Sequence, residues 1–173
     1  IDEHTLGFFV ADACGHGLPA AMVTMLVSRM LPMVETVGVL TVPVPPGEAL
    51  RRLNAHFVRR RGNDSTLITL VYGLIDARDG TVTLAGAGHP AAALVSASGT
   101  RLIESEGPAL GLFDEAEFPT SRFTLHPDET LLLHTDGFEQ AFVLAADIAH
   151  RRRPPSALYP QAFRHHVGPI TPA

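Results

Sequence analysis

Between Thr66 and His134 the chain reads as a succession of short apolar, β-branched stretches broken by sharp turns. Thr66–Ile75 is followed by Asp76–Gly80 (DARDG) and returns as Thr81–Ala87. Ala92–Val95 and Arg101–Ile103 flank a turn at Ser98 and Gly99, and Phe118–Leu125 and Thr130–His134 flank His126–Glu129. Connections this short join antiparallel neighbours, because a parallel crossover needs a dozen residues or more. Helical patterns lie to either side. Pro19 suits the first turn of a helix running to about Thr36, with Pro32 ending it early or kinking it. Its apolar stripe is wide enough to predict burial on most sides. After the linker Val42–Gly47, Pro46 opens a second helix. Leu50, Leu53, Asn54 and Phe57 mark one face of it, and Arg51, Arg52 and His56 the other. A third helical stretch runs from Phe138 to about His150. The order of elements predicts an α+β fold of two packed antiparallel β-sheets flanked by helices.

Within this frame one pattern occurs twice. GFFVADACGHG places Asp12 after a buried strand and before a glycine turn, and TLLLHTDGFEQ does the same with Asp136. A strand end that presents a carboxylate beside glycine is a way to offer a hard oxygen ligand to a cation. Taken singly, each aspartate reads equally as a turn or cap residue; taken together, they suggest convergence on one metal cluster.

Composition narrows the chemistry. The 173 residues suit one domain with a sizeable core, and the formal charge of −5 argues against a general nucleic-acid binder. The 13 basic residues are all arginine, which excludes a lysine Schiff base and a phosphate-loop lysine. The single cysteine, Cys14, rules out an intrachain disulfide and fits a reducing, cytoplasmic setting. It reads as a small, half-buried neighbour of Asp12. Without a partner motif, Cys14 and His16 do not make a zinc site. His16 and His89 read as structural, hydrogen-bonded histidines, with acid catalysis on a phosphate leaving group as the alternative for His16. The triplets Arg59–Arg61 and Arg151–Arg153 read as helix ends that complement the dipole. No apolar run reaches the roughly 20 residues of a membrane span.

The motifs, in order, resemble those of the PPM-type metal-dependent protein serine/threonine phosphatases, in their bacterial branch typified by the sporulation stage II protein E phosphatase and regulators of sigma-factor pathways. DACGHGLPAAM is similar to the D-x-SGHG-x-PAAL stretch of that family. TLITLVYGLIDARDGTVTLAGAGHPAAAL, EGPALGLF and LLLHTDGFEQA resemble its later blocks. The resemblance covers about Leu6 to Ala141 and implies the same sandwich of antiparallel sheets. It implies hydrolysis of phosphoserine or phosphothreonine on a regulatory protein, such as an anti-sigma-factor antagonist, with two Mn or Mg ions. Asp12 would bridge both ions, the Ala13 carbonyl would add a ligand, and Asp136 would hold one ion.

The family's GGD-like first strand would precede Ile1, and its last strand, with a DD-[IM]-T pattern, has no counterpart after Asp147. The expectation is therefore a phosphatase domain over residues 1–155 with its terminal strands missing or altered, then a Pro/His-rich tail over 156–173. The chain opens on Ile1 rather than Met and reads as a fragment of something longer. An upstream sensor domain and a homodimer are the further partners this implies. The competing reading is a truncated relative that binds a phosphoprotein without turnover.

Overall fold

The computed structural model describes residues 1–15, 17–59, 67–104, 106–135 and 137. The chain divides into two compact units. One comprises Ile1–His89 and Ser105–Thr124, and the other Pro90–Glu104 and Leu125–Ala173.

The first unit is built on a four-stranded antiparallel sheet in the order β1 (Thr5–Ala13), β4 (Ile68–Asp76), β5 (Thr81–Ala87), β8 (Thr120–Thr124). Strand β4 lies inside the sheet, and its sequence ITLVYGLID is nearly continuous in apolar and β-branched residues, as a strand covered on both faces should be. The β4–β5 turn is closed locally. Asp76 accepts from the Arg78 N–H at 3.0 Å, Asp79 accepts from the Thr81 N–H at 2.8 Å, and Gly80 sits at φ 70°.

Register assigns the two faces of the sheet. Phe9, Ala11 and Ala13 lie opposite Tyr72, Leu70 and Ile68, and this row continues through Ala85 and Ala87. It joins a core with Val27 and Leu31, with Leu50 and Leu53 of helix α2 (Pro46–Arg59), and with Leu110. Helix α2 is amphipathic as its pattern predicts: Ala49, Leu50, Leu53 and Asn54 are buried, while Arg51 and His56 are exposed. Its first turn carries Glu48, which receives Arg51 at 2.7 Å and Arg52 at 2.6 Å. Those guanidiniums hold the Glu48 carboxyl down at about 2. Arg52 also reaches Glu35 at 2.7 Å.

Tyr72 is fully buried, and its hydroxyl has no hydrogen-bond partner among the described residues. Burial pushes its pKa up to about 12. An unpartnered buried hydroxyl costs desolvation with nothing returned. Tyr72→Phe is therefore expected to leave stability unchanged or raise it by up to about 1 kcal/mol, read as the midpoint of urea unfolding. A loss above about 1 kcal/mol would reveal a partner for that hydroxyl.

Three expectations are corrected. Helix α1 spans Leu18–Met30, stopping ahead of Pro32, but it is not buried on most sides. Val27 is buried, whereas Leu18, Met22, Met25 and Leu26 are exposed. A single helix laid against one strand can cover only part of so wide a stripe. Next, Val34–Val37 and Leu40–Pro43 form a two-stranded hairpin, β2 and β3, around Gly38 at φ 64°. This hairpin replaces the end of the helix expected to reach Thr36 and the start of the linker expected from Val42, because β-branched residues flank a glycine turn. Last, the stretches on either side of His126–Glu129 are not partners: β8 pairs with β5 in the first unit, and β9 (Thr130–Leu132) pairs with β6 (Ala92–Ser96) in the second.

The second unit carries a three-stranded antiparallel sheet ordered β7 (Gly99–Ile103), β6 (Ala92–Ser96), β9. Ala92 to Val95 and Ile103 supply its buried apolar residues. The predicted helix at Phe138–His150, the triplet Arg151–Arg153 and the tail 156–173 lie outside the described residues. The α+β class with antiparallel sheets is as expected.

Candidate metal centre

Strand β1 pairs with β4 on one side and, among the described residues, has no strand on the other. Asp12 lies opposite Thr69 and Ala13 opposite Ile68. The Cys14 N–H donates to the Leu67 carbonyl at 2.9 Å. In an antiparallel ladder directly opposed residues alternate between exchanging hydrogen bonds with each other and facing away. Cys14 and Asp12 therefore direct their backbone groups toward β4, and Ala13 directs its N–H and C=O to the open edge. The Ala13 methyl is buried on the helix-covered face. Its carbonyl is thus a free oxygen acceptor next in sequence to Asp12.

The Asp12 side chain, one residue out of phase with Ala13, projects from the opposite face of the sheet. It is half-buried, and it makes no hydrogen bond or ion pair with a described residue. A carboxylate partly withdrawn from water without a protein partner is suited to an ion. Across the ladder, the Thr69 hydroxyl is hydrogen-bonded to His89 Nδ1 at 3.0 Å. His89 is buried and sits just beyond the end of β5. It holds the residue facing Asp12, a structural part of the kind its position before Pro90 suggests. Beyond Ala13 the chain turns at Gly15, at φ 113°, a value that L side chains rarely adopt. Cys14 is exposed rather than half-buried.

Asp12 and the Ala13 carbonyl are both hard oxygen donors, so the residues present fit a Mg- or Mn-type ion rather than a thiophilic one. They are too few to complete a cluster: among the described residues no group of three or more His, Cys, Asp or Glu side chains gathers around a common point. Asp136, the second expected metal aspartate, lies outside the described residues, as does His16.

The EGPALGLF block, whose sequence carries part of the family resemblance, borders this end of the sheet, and its tie to helix α2 is what the sequence does not announce. Gly107–Phe113 crosses the end of β4, where the Leu110 N–H donates to the Ile68 carbonyl at 2.9 Å. Asn54 of α2 grips the same segment. It receives the Gly111 N–H at 2.8 Å and donates to the Phe113 carbonyl at 2.9 Å. The available signal was a polar residue in register with the apolar face of a helix.

The model of the stage II sporulation protein E (SpoIIE) family matches residues 2–166. Over 141 residues the chain is 33% identical to the phosphoserine phosphatase RsbP of Bacillus subtilis. That match covers 79% of this chain and 34% of RsbP, so the chain spans about a third of that relative's length. Among solved structures, the RsbU and RsbW domains of Rv1364c from Mycobacterium tuberculosis superpose with a TM-score of 0.62 at 28% identity, covering 85% of this chain and 41% of that one. The PP2C phosphatase domain of SpoIIE from Bacillus subtilis superposes with a TM-score of 0.65 at 13% identity, covering 95% of this chain and 48% of that one, which shows a common fold.

Proposed function

The chain belongs to the SpoIIE family of PPM-type phosphatases, and from that membership we propose that it is a metal-dependent protein serine/threonine phosphatase. Its substrate is a phosphoserine or phosphothreonine on a small regulatory protein, such as an anti-sigma-factor antagonist. The observation that carries this reading is Asp12, a half-buried carboxylate without a partner among the described residues, next to a backbone carbonyl turned to an open strand edge.

Two divalent cations, Mn or Mg, would lower the pKa of a water and screen the phosphoryl oxygens when bound. The chain's own part is to hold and orient. Asp12 would offer its carboxylate to both ions, Ala13 would add its carbonyl, and Asp136 would hold one ion. Thr69, fixed by His89, keeps the β4 side of the site rigid. The domain, residues 1–155, would act in the cytoplasm, downstream of a sensor domain in a longer chain. No helix among the described residues is long and apolar enough to cross a membrane.

The test is phosphate release from a phosphoserine peptide with Mn present and after chelation. Release is expected with Mn and should vanish with chelator. Turnover that persists after chelation would sink the metal-dependent reading.

A further inference from the structure

Helix α2 has no need of a polar residue on its buried face, yet Asn54 is 1% exposed among Leu50, Leu53 and the core. A carboxamide so placed is costly unless both of its ends are used. Both are: Oδ1 takes the Gly111 N–H and Nδ2 gives to the Phe113 carbonyl, reaching 57 and 59 residues along the chain. Two bonds to residues two apart fix the orientation of that backbone as well as its position.

What the fixed segment does follows from the ladder. Ile68 faces Ala13 as a pair that does not exchange hydrogen bonds, so the backbone groups of Ile68 point away from β1. Strand β5 would normally take them, but its pairing with β4 ends at Leu70 and Ala87. Leu110 fills the vacant place, bridging Ile68 in antiparallel sense with its side chain fully buried. The Gly107–Phe113 segment thus acts as a short substitute strand behind the stretch of β4 that pairs with Asp12 and Ala13 of β1. The linkage runs from Asn54 to Gly111, along the backbone to Leu110, across to Ile68 and on to its ladder partner Ala13, all in the first unit.

We infer that Asn54 is a positioning residue: by clamping Gly111 and Phe113 it secures the end of β4, and through it the Asp12–Ala13 end of β1 to which the ions would bind. The inference rests on the metal-dependent reading for its consequence, though not for the linkage itself.

The test compares three proteins: the wild type, Asn54→Leu, which keeps the volume and removes both bonds, and Leu50→Ala, which weakens the same helix and leaves both Asn54 bonds in place. Amide hydrogen exchange is read on the metal-free proteins, and Mn binding by calorimetry. Asn54→Leu is expected to speed exchange at Leu110, Gly111 and Cys14 at least tenfold relative to Leu50→Ala, and to weaken Mn binding by about 10–100-fold, the usual effect of losing a group that orients a ligand. Leu50→Ala should lower the melting temperature with Mn affinity within about twofold of wild type. Equal Mn affinity in the two variants, or faster exchange confined to Gly111, would overturn the inference. A wild type that takes up no Mn removes the metal reading instead. The linkage is then decided at Cys14, with faster exchange supporting it and unchanged exchange overturning it. If Asn54→Leu does not fold, Asn54→Asp, which keeps the acceptor for Gly111, replaces it with the same readouts.

Discussion

Asp12→Asn is expected to lower Mn-dependent phosphate release by roughly 10³-fold, equivalent to about 4 kcal/mol of transition-state stabilisation. Asparagine keeps the shape of the side chain and removes its charge, so the loss would report on cation binding. The fold should not suffer. The Asp12 carboxylate takes no hydrogen bond or ion pair from a described residue, and the β1–β4 pairing at that point is made by backbone groups. Exchanging a half-buried charge for a neutral amide is expected to leave the melting temperature of the metal-free protein unchanged or raise it slightly. Phosphate release and a thermal melt on the same preparation separate the two effects. Activity within tenfold of wild type would remove Asp12 from the mechanism. A large drop in melting temperature would make it a structural residue.

The largest effect on stability should come from Gly107→Ala. A methyl group there would run into the Gly86 carbonyl oxygen, which is backbone, and would lie 2.5 Å from Cδ1 of Phe118. Neither can step aside cheaply, because Gly86 lies within β5 and Phe118 belongs to the core. The Gly107 carbonyl also receives the Gly88 N–H at 2.6 Å, so a displaced residue 107 gives up that bond. A cost of about 3 kcal/mol is expected, from overpacking and the strained bond together. Gly38→Ala is the comparison. That residue sits at φ 64° with nothing within 4 Å of the added carbon, so only backbone strain is paid, about 1 kcal/mol. Urea unfolding of both variants with an unchanged slope gives the two numbers. A Gly107→Ala loss below about 1 kcal/mol would mean that the segment is free to shift.

What could be read from the sequence was whatever local chemistry decides. The face of α2 follows from its period, and the β4–β5 hairpin follows from DARDG. The end of α1 follows from Pro32. Asp12 was visible because strand, carboxylate and glycine turn are consecutive. The sequence misleads where two local signals compete and where a distant partner decides. The run from Val34 to Val42 is β-branched around Gly38, the mark of a hairpin, but helical spacing from Met22 to Val34 overran it. HPDE is a turn, yet whether β8 and β9 meet across it depends on β5 and β6, which claim them separately. The exposure of Ala13's carbonyl depends on which residues of β1 and β4 are paired, and a shift of one residue would reverse it. Asn54 was assigned correctly to the buried face, but its role hangs on residues 57 and 59 positions away.

The contact between Gly88 and Gly107 bears on how such a chain could change in length. The backbone leaves the first unit after His89 and re-enters it near position 105, and the bridge between Ala87 and Gly107 ties those two points together. The excursion between them is a closed loop whose ends are already fixed. Extending it at the Ala97–Ser98 bend would alter only the cost of closing a longer loop, about 0.6 kcal/mol per doubling. That bend is therefore a natural place for inserted sequence to accumulate in descendants of this gene, or for a reporter to be grafted, while the neck at the two glycines stays the same.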